Sequence, residues 1–232
     1  DEFQDISRGR YNLIKAILDQ SASSKLYCVG DDWQAIYRFA GSDHQIMNNF
    51  RSIFGNATSL KLDKTFRFNN QIAEVSRKFI TKNPSQIKKR LKALTIKKEP
   101  QVILNWIDEN NLLSSLTKTI GMIKSTHSTA DKSLQILARY NNSKISEDFI
   151  RQLEELWEGK ILVQRTIHAA KGLEADFVIV LDLNSIGNGF PSSKNDDPIL
   201  NLILSEQDNF QYSEERRLFY VALTRAREQT YL

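Results

Sequence analysis

One cysteine and three histidines in 232 residues leave little material for covalent or metal cross-linking. Cys28 lies in the apolar run Leu26-Tyr27-Cys28-Val29, has no second cysteine for an internal disulfide, and reads as a small core residue of a reducing compartment. His44, His127 and His168 are far apart, which argues against a His/Cys zinc site. No stretch of 18 or more apolar residues occurs, which excludes a membrane-spanning helix. The opening Asp1-Glu2-Phe3-Gln4-Asp5 lacks both the charged and the apolar region of a signal peptide, and no initiating Met precedes it. The expectation is a cytoplasmic chain without a membrane partner.

A large excess of either charge is also lacking, since the net charge is only +4. What charge there is lies unevenly. Arg77, Lys78, Lys82, Lys88, Lys89, Arg90, Lys92, Lys97 and Lys98 follow one another with no acid between Arg77 and Lys98. Such a tract either lines a phosphate backbone or forms a solvated face.

Apolar runs alternate with amphipathic stretches, the pattern of an α/β fold. Strands are expected at Lys25–Val29, Ser59–Leu62, Val102–Trp106, Leu134–Ala138, Ile161–Gln164 and Phe177–Leu183. The last is almost continuously apolar, as a strand covered on both faces should be. Helices are expected at Arg8–Gln20, Asp43–Phe50, Asn69–Lys82, Asn111–Ser125, Ser143–Leu156 and Ser213–Arg225. Ser213 serves as an N-cap for the last, Glu214 and Glu215 suit its first turn, and Leu218, Val221 and Ala222 mark its buried face. Asn83-Pro84 and Ser192–Asp197 read as loops. A domain boundary is expected near Ile53–Thr58, around Gly55-Asn56.

Five segments carry chemistry. Asp1-Glu2-Phe3-Gln4-Asp5 places two acids side by side, an arrangement that holds Mg²⁺ and polarises a water in phosphoryl transfer, though adjacent acids are also common at helix starts. In Gly30-Asp31-Asp32-Trp33-Gln34-Ala35-Ile36-Tyr37-Arg38-Phe39, Gln34 is a candidate sensor of a terminal phosphate. Tyr37 and Phe39 either stack on bases or fill a core. The others are Leu62-Asp63-Lys64-Thr65-Phe66-Arg67-Phe68, the stretch from Thr166 to Glu174 containing His168-Ala169-Ala170-Lys171-Gly172, and the stretch from Glu214 to Arg227 containing Thr224-Arg225-Ala226-Arg227.

In this order the five segments resemble motifs II to VI of the superfamily 1 DNA helicases of the UvrD/Rep type, from the first residue to the last. Gly30-Asp31-Asp32-Trp33-Gln34 through Phe39, and Gly187-Asn188-Gly189-Phe190-Pro191, most resemble the helicase IV branch of that family. The resemblance implies a RecA-like P-loop NTPase fold: a parallel sheet with flanking helices, with residues 1–57 as the end of a first motor domain and 58–232 as a nearly complete second one. It implies ATP and Mg²⁺ as ligands, single-stranded and duplex DNA as partner, and ATP-driven 3′→5′ movement. By position, Asp1 would coordinate Mg²⁺ and Glu2 would be the general base. Gln4 would join the nucleotide contacts, and Gln34 would couple the γ-phosphate to DNA. Arg67 and Arg225 would be arginine fingers, although Arg225 could instead cap its own helix. Phe66, where the family usually has Tyr, would pack on adenine. Glu174 would contact the ribose or stand as a solvated acid. Tyr37 and Phe39 would stack on bases. Thr166, His168 and Lys171 would lie between nucleotide and DNA backbone, unless His168 is purely structural.

Two departures qualify the resemblance. No Gly-x-x-x-x-Gly-Lys-[Ser/Thr] occurs, since Gly159-Lys160-Ile161 lacks both the upstream glycine and the hydroxyl. The family's phosphate loop lies before motif II, so the chain is expected to start after it and to be inactive by itself. Trp157-Glu158-Gly159-Lys160 also leads directly into the next strand, where larger members insert an accessory subdomain. Two alternatives stay open: the motor of a helicase–nuclease complex, and a nucleic-acid binding module without catalysis.

Overall fold

The computed structural model describes residues 1–106, 111–184, 189–192, 204 and 208–232. Its described residues form two compact units. One lies within Asp1–Leu62, Ile80–Lys89 and Lys194–Leu218, the other within Asp63–Phe79, Arg90–Ser193 and Phe219–Leu232.

The second unit is built on a sheet of five parallel strands. These are β3 (Val102–Ile103), β4 (Ser133–Ala138), β5 (Ile161–Thr166), β6 (Ala175–Val180) and β7 (Ala226–Tyr231), in the order β3-β7-β6-β4-β5. Every residue of β6 is buried, which explains its unbroken apolar sequence. Helix α5 (Leu112–Thr126) buries Leu116, Thr119, Ile120 and Ile123, the spacing of one helical face. Those apolar side chains pack with Leu153 and Trp157 of α6 (Glu147–Trp157) against Leu134, Ile136, Leu162, Phe177 and Ile179. Helix α6 starts where the Ser146 hydroxyl accepts the Phe149 amide at 3.4 Å, with Glu147 and Asp148 in the first turn. After it, Gly159 sits against the Trp157 indole, and a Cβ there would come within 2.7 Å of the Lys132 carbonyl. Helix α4 (Asn70–Ile80) is capped by Asn69, whose Oδ1 accepts from the Gln71 and Ile72 amides while its Nδ2 donates to the Arg227 and Glu228 carbonyls of β7. A short parallel pair, β1 (Lys64–Thr65) with β2 (Lys92–Ala93), completes this unit's strands among the described residues.

The first unit is held differently. Helix α1 (Arg8–Leu18), α2 (Gln45–Asn48) and α3 (Phe50–Phe54) surround a small cluster of Phe3, Ile6 and Ile46, with Phe50 edge-on to Phe3 at 5.8 Å.

Several sequence expectations are corrected. Lys25–Val29 is not a strand; among the described residues it pairs with no neighbouring strand, and a ladder needs one. Ser59–Leu62 is irregular and the short β1 follows it. Only Val102–Ile103 of Val102–Trp106 pairs, and Trp106 is fully exposed. Asp43–Phe50 divides at Asn49 into α2 and α3. Helix α7 (Ser213–Leu223) includes Ser213 as its first residue, and the Ser213 hydroxyl donates back to the Asp208 carbonyl, 3.5 Å away, rather than capping. Strand β7 follows it directly, in a stretch for which no element was expected. Residues 193–197 of the expected Ser192–Asp197 loop, and Gly187 and Asn188, lie outside the described residues.

Candidate functional site

In the first unit the two acids and Gln34 are joined by consecutive hydrogen bonds. The Gln4 amide nitrogen donates to the Glu2 carboxylate, and its Oε1 accepts the Asp31 amide at 2.9 Å. Asp31 Oδ2 then accepts Gln34 Nε2 at 2.7 Å, while Oδ1 accepts the Trp33 amide at 3.0 Å. Gln4 is fully buried, so its side chain is a fixed bridge between the two segments. Gly30 allows this close approach, because a Cβ there would lie 2.7 Å from Gln4 Oε1 and 2.9 Å from the Met47 sulfur. Glu2 adopts a left-handed backbone at φ 52°, a conformation that costs a non-glycine residue roughly 1 kcal/mol or more and recurs at functional sites.

Asp1 and Glu2 are exposed, and Asp1 Oδ1 accepts the Glu2 amide at 2.9 Å. Among the described residues, no three His, Cys, Asp or Glu side chains gather into a metal cage. Carboxylate oxygens of this kind suit Mg²⁺, which binds through one or two carboxylates and completes its shell with phosphate and water.

Behind Gln34 the packing is dense and polar. Trp33 is fully buried and donates from its indole to the Ile87 carbonyl at 3.0 Å. Asp32, 1% exposed, accepts the Ile87 amide and the Lys89 ammonium, and burial raises its pKa against the pull of Lys89. Arg217 is also buried, donating to the Ala35 carbonyl at 2.7 Å. Tyr37 is half-buried and Phe39 is 59% exposed, with their rings edge-to-face at 6.0 Å. Phe39 is therefore not a core aromatic.

In the second unit, Arg67 and Glu174 come together at 3.4 Å, each about a third exposed. Arg227 also binds the Glu174 carboxylate, its Nε 3.1 Å away. The hydrogen bond from Arg227 holds the Glu174 pKa below the ordinary range, with the charges of Arg67 and Arg225 acting in the same direction. Arg225 is fully buried: it donates to the Val221 carbonyl at 2.9 Å and the Leu173 carbonyl at 3.1 Å, closing the end of its own helix. Phe66 is 79% exposed. Thr166 ends β5 and accepts the Ala169 amide, and His168 and Lys171 occupy the turn that follows, both half-buried.

Arg77 and Lys78 pair with Glu74, Lys92 with Asp63, and Lys89 turns inward to Asp31 and Asp32. Lys89 and Arg227 are the contacts that sequence reading did not single out.

Residues 1–55 match the UvrD/REP helicase N-terminal domain, and residues 151–232 match the UvrD-like helicase C-terminal domain. The chain belongs to the UvrD-like helicase family. It is 39% identical to DNA helicase IV of Escherichia coli (strain K12) over 231 residues, covering 100% of this chain and 32% of that protein. A probable DNA helicase of Mycoplasma pneumoniae is 26% identical over 237 residues, with 42% of its length covered. ATP-dependent DNA helicase PcrA of Bacillus subtilis is 26% identical over 138 residues, 60% of this chain and 18% of that protein. The chain thus spans well under half the length of these relatives. The α/β fold with its parallel sheet is the one that UvrD-like membership calls for.

Proposed function

We propose that the protein carrying this chain is an ATP-dependent DNA helicase and translocase that moves 3′→5′ on single strands, in the cytoplasm. Residues 1–57 are read as the end of its first RecA-like motor domain and 58–232 as the second. The observation that carries the reading is the bonded series Glu2–Gln4–Asp31–Gln34, which ties a carboxylate pair to a polar amide through a buried bridge.

Bound Mg²⁺ would supply charge neutralisation on the phosphates, with Asp1 in its shell. Glu2 takes the proton of the attacking water. Gln34 meets the γ-phosphate and couples it to the DNA site, its amide nitrogen being committed to Asp31. Arg67, exposed enough to meet a ligand, neutralises charge developing on the transferred phosphoryl group. Arg225 is assigned the same task, for which its guanidinium must first leave Val221 and Leu173. Phe66 offers an open ring face for adenine, and Glu174, oriented by Arg67 and Arg227, accepts from the ribose. Tyr37 and Phe39 stack on bases, with Thr166, His168 and Lys171 toward the backbone. These 232 residues contain no phosphate-cradling loop, so alone they turn over no ATP.

Tyr37→Ala tests the reading in the full-length protein. A lost stacking partner removes roughly 1–3 kcal/mol per base, so single-strand binding and unwinding fall while ATP turnover recovers at saturating DNA. A large drop in melting temperature with all activities lost together would instead make Tyr37 a structural residue.

A further inference from the structure

We propose that Lys89 is a positioning residue for Gln34, acting through Asp31; the proposal rests on the reading of Gln34 as the residue that senses the γ-phosphate. Lys89 comes from the basic tract, yet its side chain is only 19% exposed and lies 4.5 Å from the centre of the Trp33 ring. Its ammonium donates to both Asp31 and Asp32, the latter at 2.9 Å. Asp31 in turn holds the Gln34 amide, its Oδ2 accepting Nε2 at 2.7 Å.

A glutamine amide has two chemically different ends, and a bond to one end decides where the other points. Gln34 Nε2 is held by Asp31 Oδ2, which turns Oε1 away from that carboxylate. Asp31 Oδ1 is pinned by the Trp33 amide and by Lys89, so the carboxylate plane cannot rotate without breaking one of them. Lys89 is fixed in turn: Ile87, two residues before it, donates its amide to Asp32 at 2.8 Å and accepts the Trp33 indole at 3.0 Å. The segment Ile87–Lys89 therefore meets Trp33 at its indole N–H and over its ring, and delivers one cation to two acids. Removing that cation leaves Asp31 beside the buried Asp32 without the ammonium that both carboxylates share. The two carboxylates then repel, Asp31 moves, and the Gln34 amide loses its fixed direction.

The test is a double-mutant cycle on the full-length protein, reading kcat and KM for ATP at saturating single-stranded DNA. Lys89→Ala is expected to lower kcat by roughly 10- to 100-fold, the scale of a misplaced reacting group, with KM for ATP unchanged. Lys89→Arg, which keeps a donor to both acids, restores most of the loss. Lys89→Ala added to Gln34→Ala costs nothing further, because the cation acts only through the amide. Additive losses in the double mutant, or an unchanged kcat in Lys89→Ala, overturn the proposal. If Gln34→Ala alone keeps its kcat, the γ-phosphate reading fails and the proposal falls with it, an outcome that the single mutant identifies by itself. Should Lys89→Ala not fold, Asp31→Asn takes its place in the same cycle and is judged by the same outcomes.

Discussion

The unit holding β3 to β7 places its chemistry at the ends of a sheet, whereas the unit holding Asp1 and Gln34 places it with side-chain bonds. In the former, Arg225 and Glu174 flank strands whose interior is buried at nearly every position, and the backbone pairing of β6 with β7 fixes their separation. In the latter, the apolar cluster of Phe3, Ile6 and Ile46 is small, and Gln4, Asp31, Asp32, Lys89 and Arg217 take over the work of fixing geometry. A sheet sets position through dozens of weak contacts and tolerates the loss of one. A polar network sets it through a few directional bonds, and each partner removed leaves another group stranded.

The largest expected effect lies where the sheet-borne cluster meets chemistry. Arg67→Ala in the full-length protein should slow ATP hydrolysis by roughly 10³–10⁵, the value of an arginine supplied to the transition state, with melting unchanged. Arg225→Ala should slow it too, but should also lower the melting temperature, since two carbonyls lose a buried donor. Single-turnover hydrolysis beside thermal melting separates the two arginines.

Next comes the core itself. Phe177 is fully buried, edge-on to Trp157 at 5.9 Å and to His127 at 5.1 Å. Phe177→Ala should cost roughly 3–5 kcal/mol, measured by denaturant unfolding. Hydrogen exchange should show the loss in β4 to β7 and spare the Gln4–Asp31 bonds. Equal loss in both regions would mean that they unfold together as one cooperative unit.

A smaller effect, and one that depends on pH, marks the polar unit. Burial, with Arg217 and Arg38 adding to it and Asp208 opposing, lowers the His44 pKa to about 4, and its Nε2 has no hydrogen-bond partner among the described atoms. A depressed histidine stays neutral in the folded chain while the unfolded chain takes up a proton below about pH 6.5. Stability is then full above pH 6.5 and is lost as the pH falls toward 4, by on the order of 3 kcal/mol. His44→Gln should flatten that part of the melting-versus-pH curve. The same slope in wild type and variant would assign the acid sensitivity to other groups.

The two regions were also unequally legible. The apolar run of β6 and the i, i+3, i+4 spacing of α5 announce their own burial, so the sheet's centre and its covering helix can be read directly. Strand β7 cannot: Arg227 and Glu228 break its pattern, because their side chains serve Glu174 and Lys132 rather than the core. Lys25–Val29 misleads in the opposite sense, being apolar enough for a strand but without one beside it among the described residues. Glu2 and Gln34 in one unit, and Arg67 and Arg225 in the other, can be proposed only from the five motifs taken together. Lys89 and Arg227 stay hidden because their acidic partners are 58 and 53 residues away in sequence, and charge pairing over that distance leaves no local pattern. Burial of Arg225 is likewise a tertiary fact, although the helix-end alternative was visible in its position.

The central claim is that the acid pair joined through Gln4 to Gln34 drives ATP hydrolysis, and Glu2→Gln tests it most directly. The substitution keeps the shape and an acceptor for Gln4 but removes the base. In the full-length protein, single-turnover hydrolysis with single-stranded DNA should fall by roughly 10²–10⁴, the usual contribution of a general base, while nucleotide affinity and melting temperature hold. Hydrolysis at the wild-type rate in Glu2→Gln would contradict the account and move the catalytic base elsewhere.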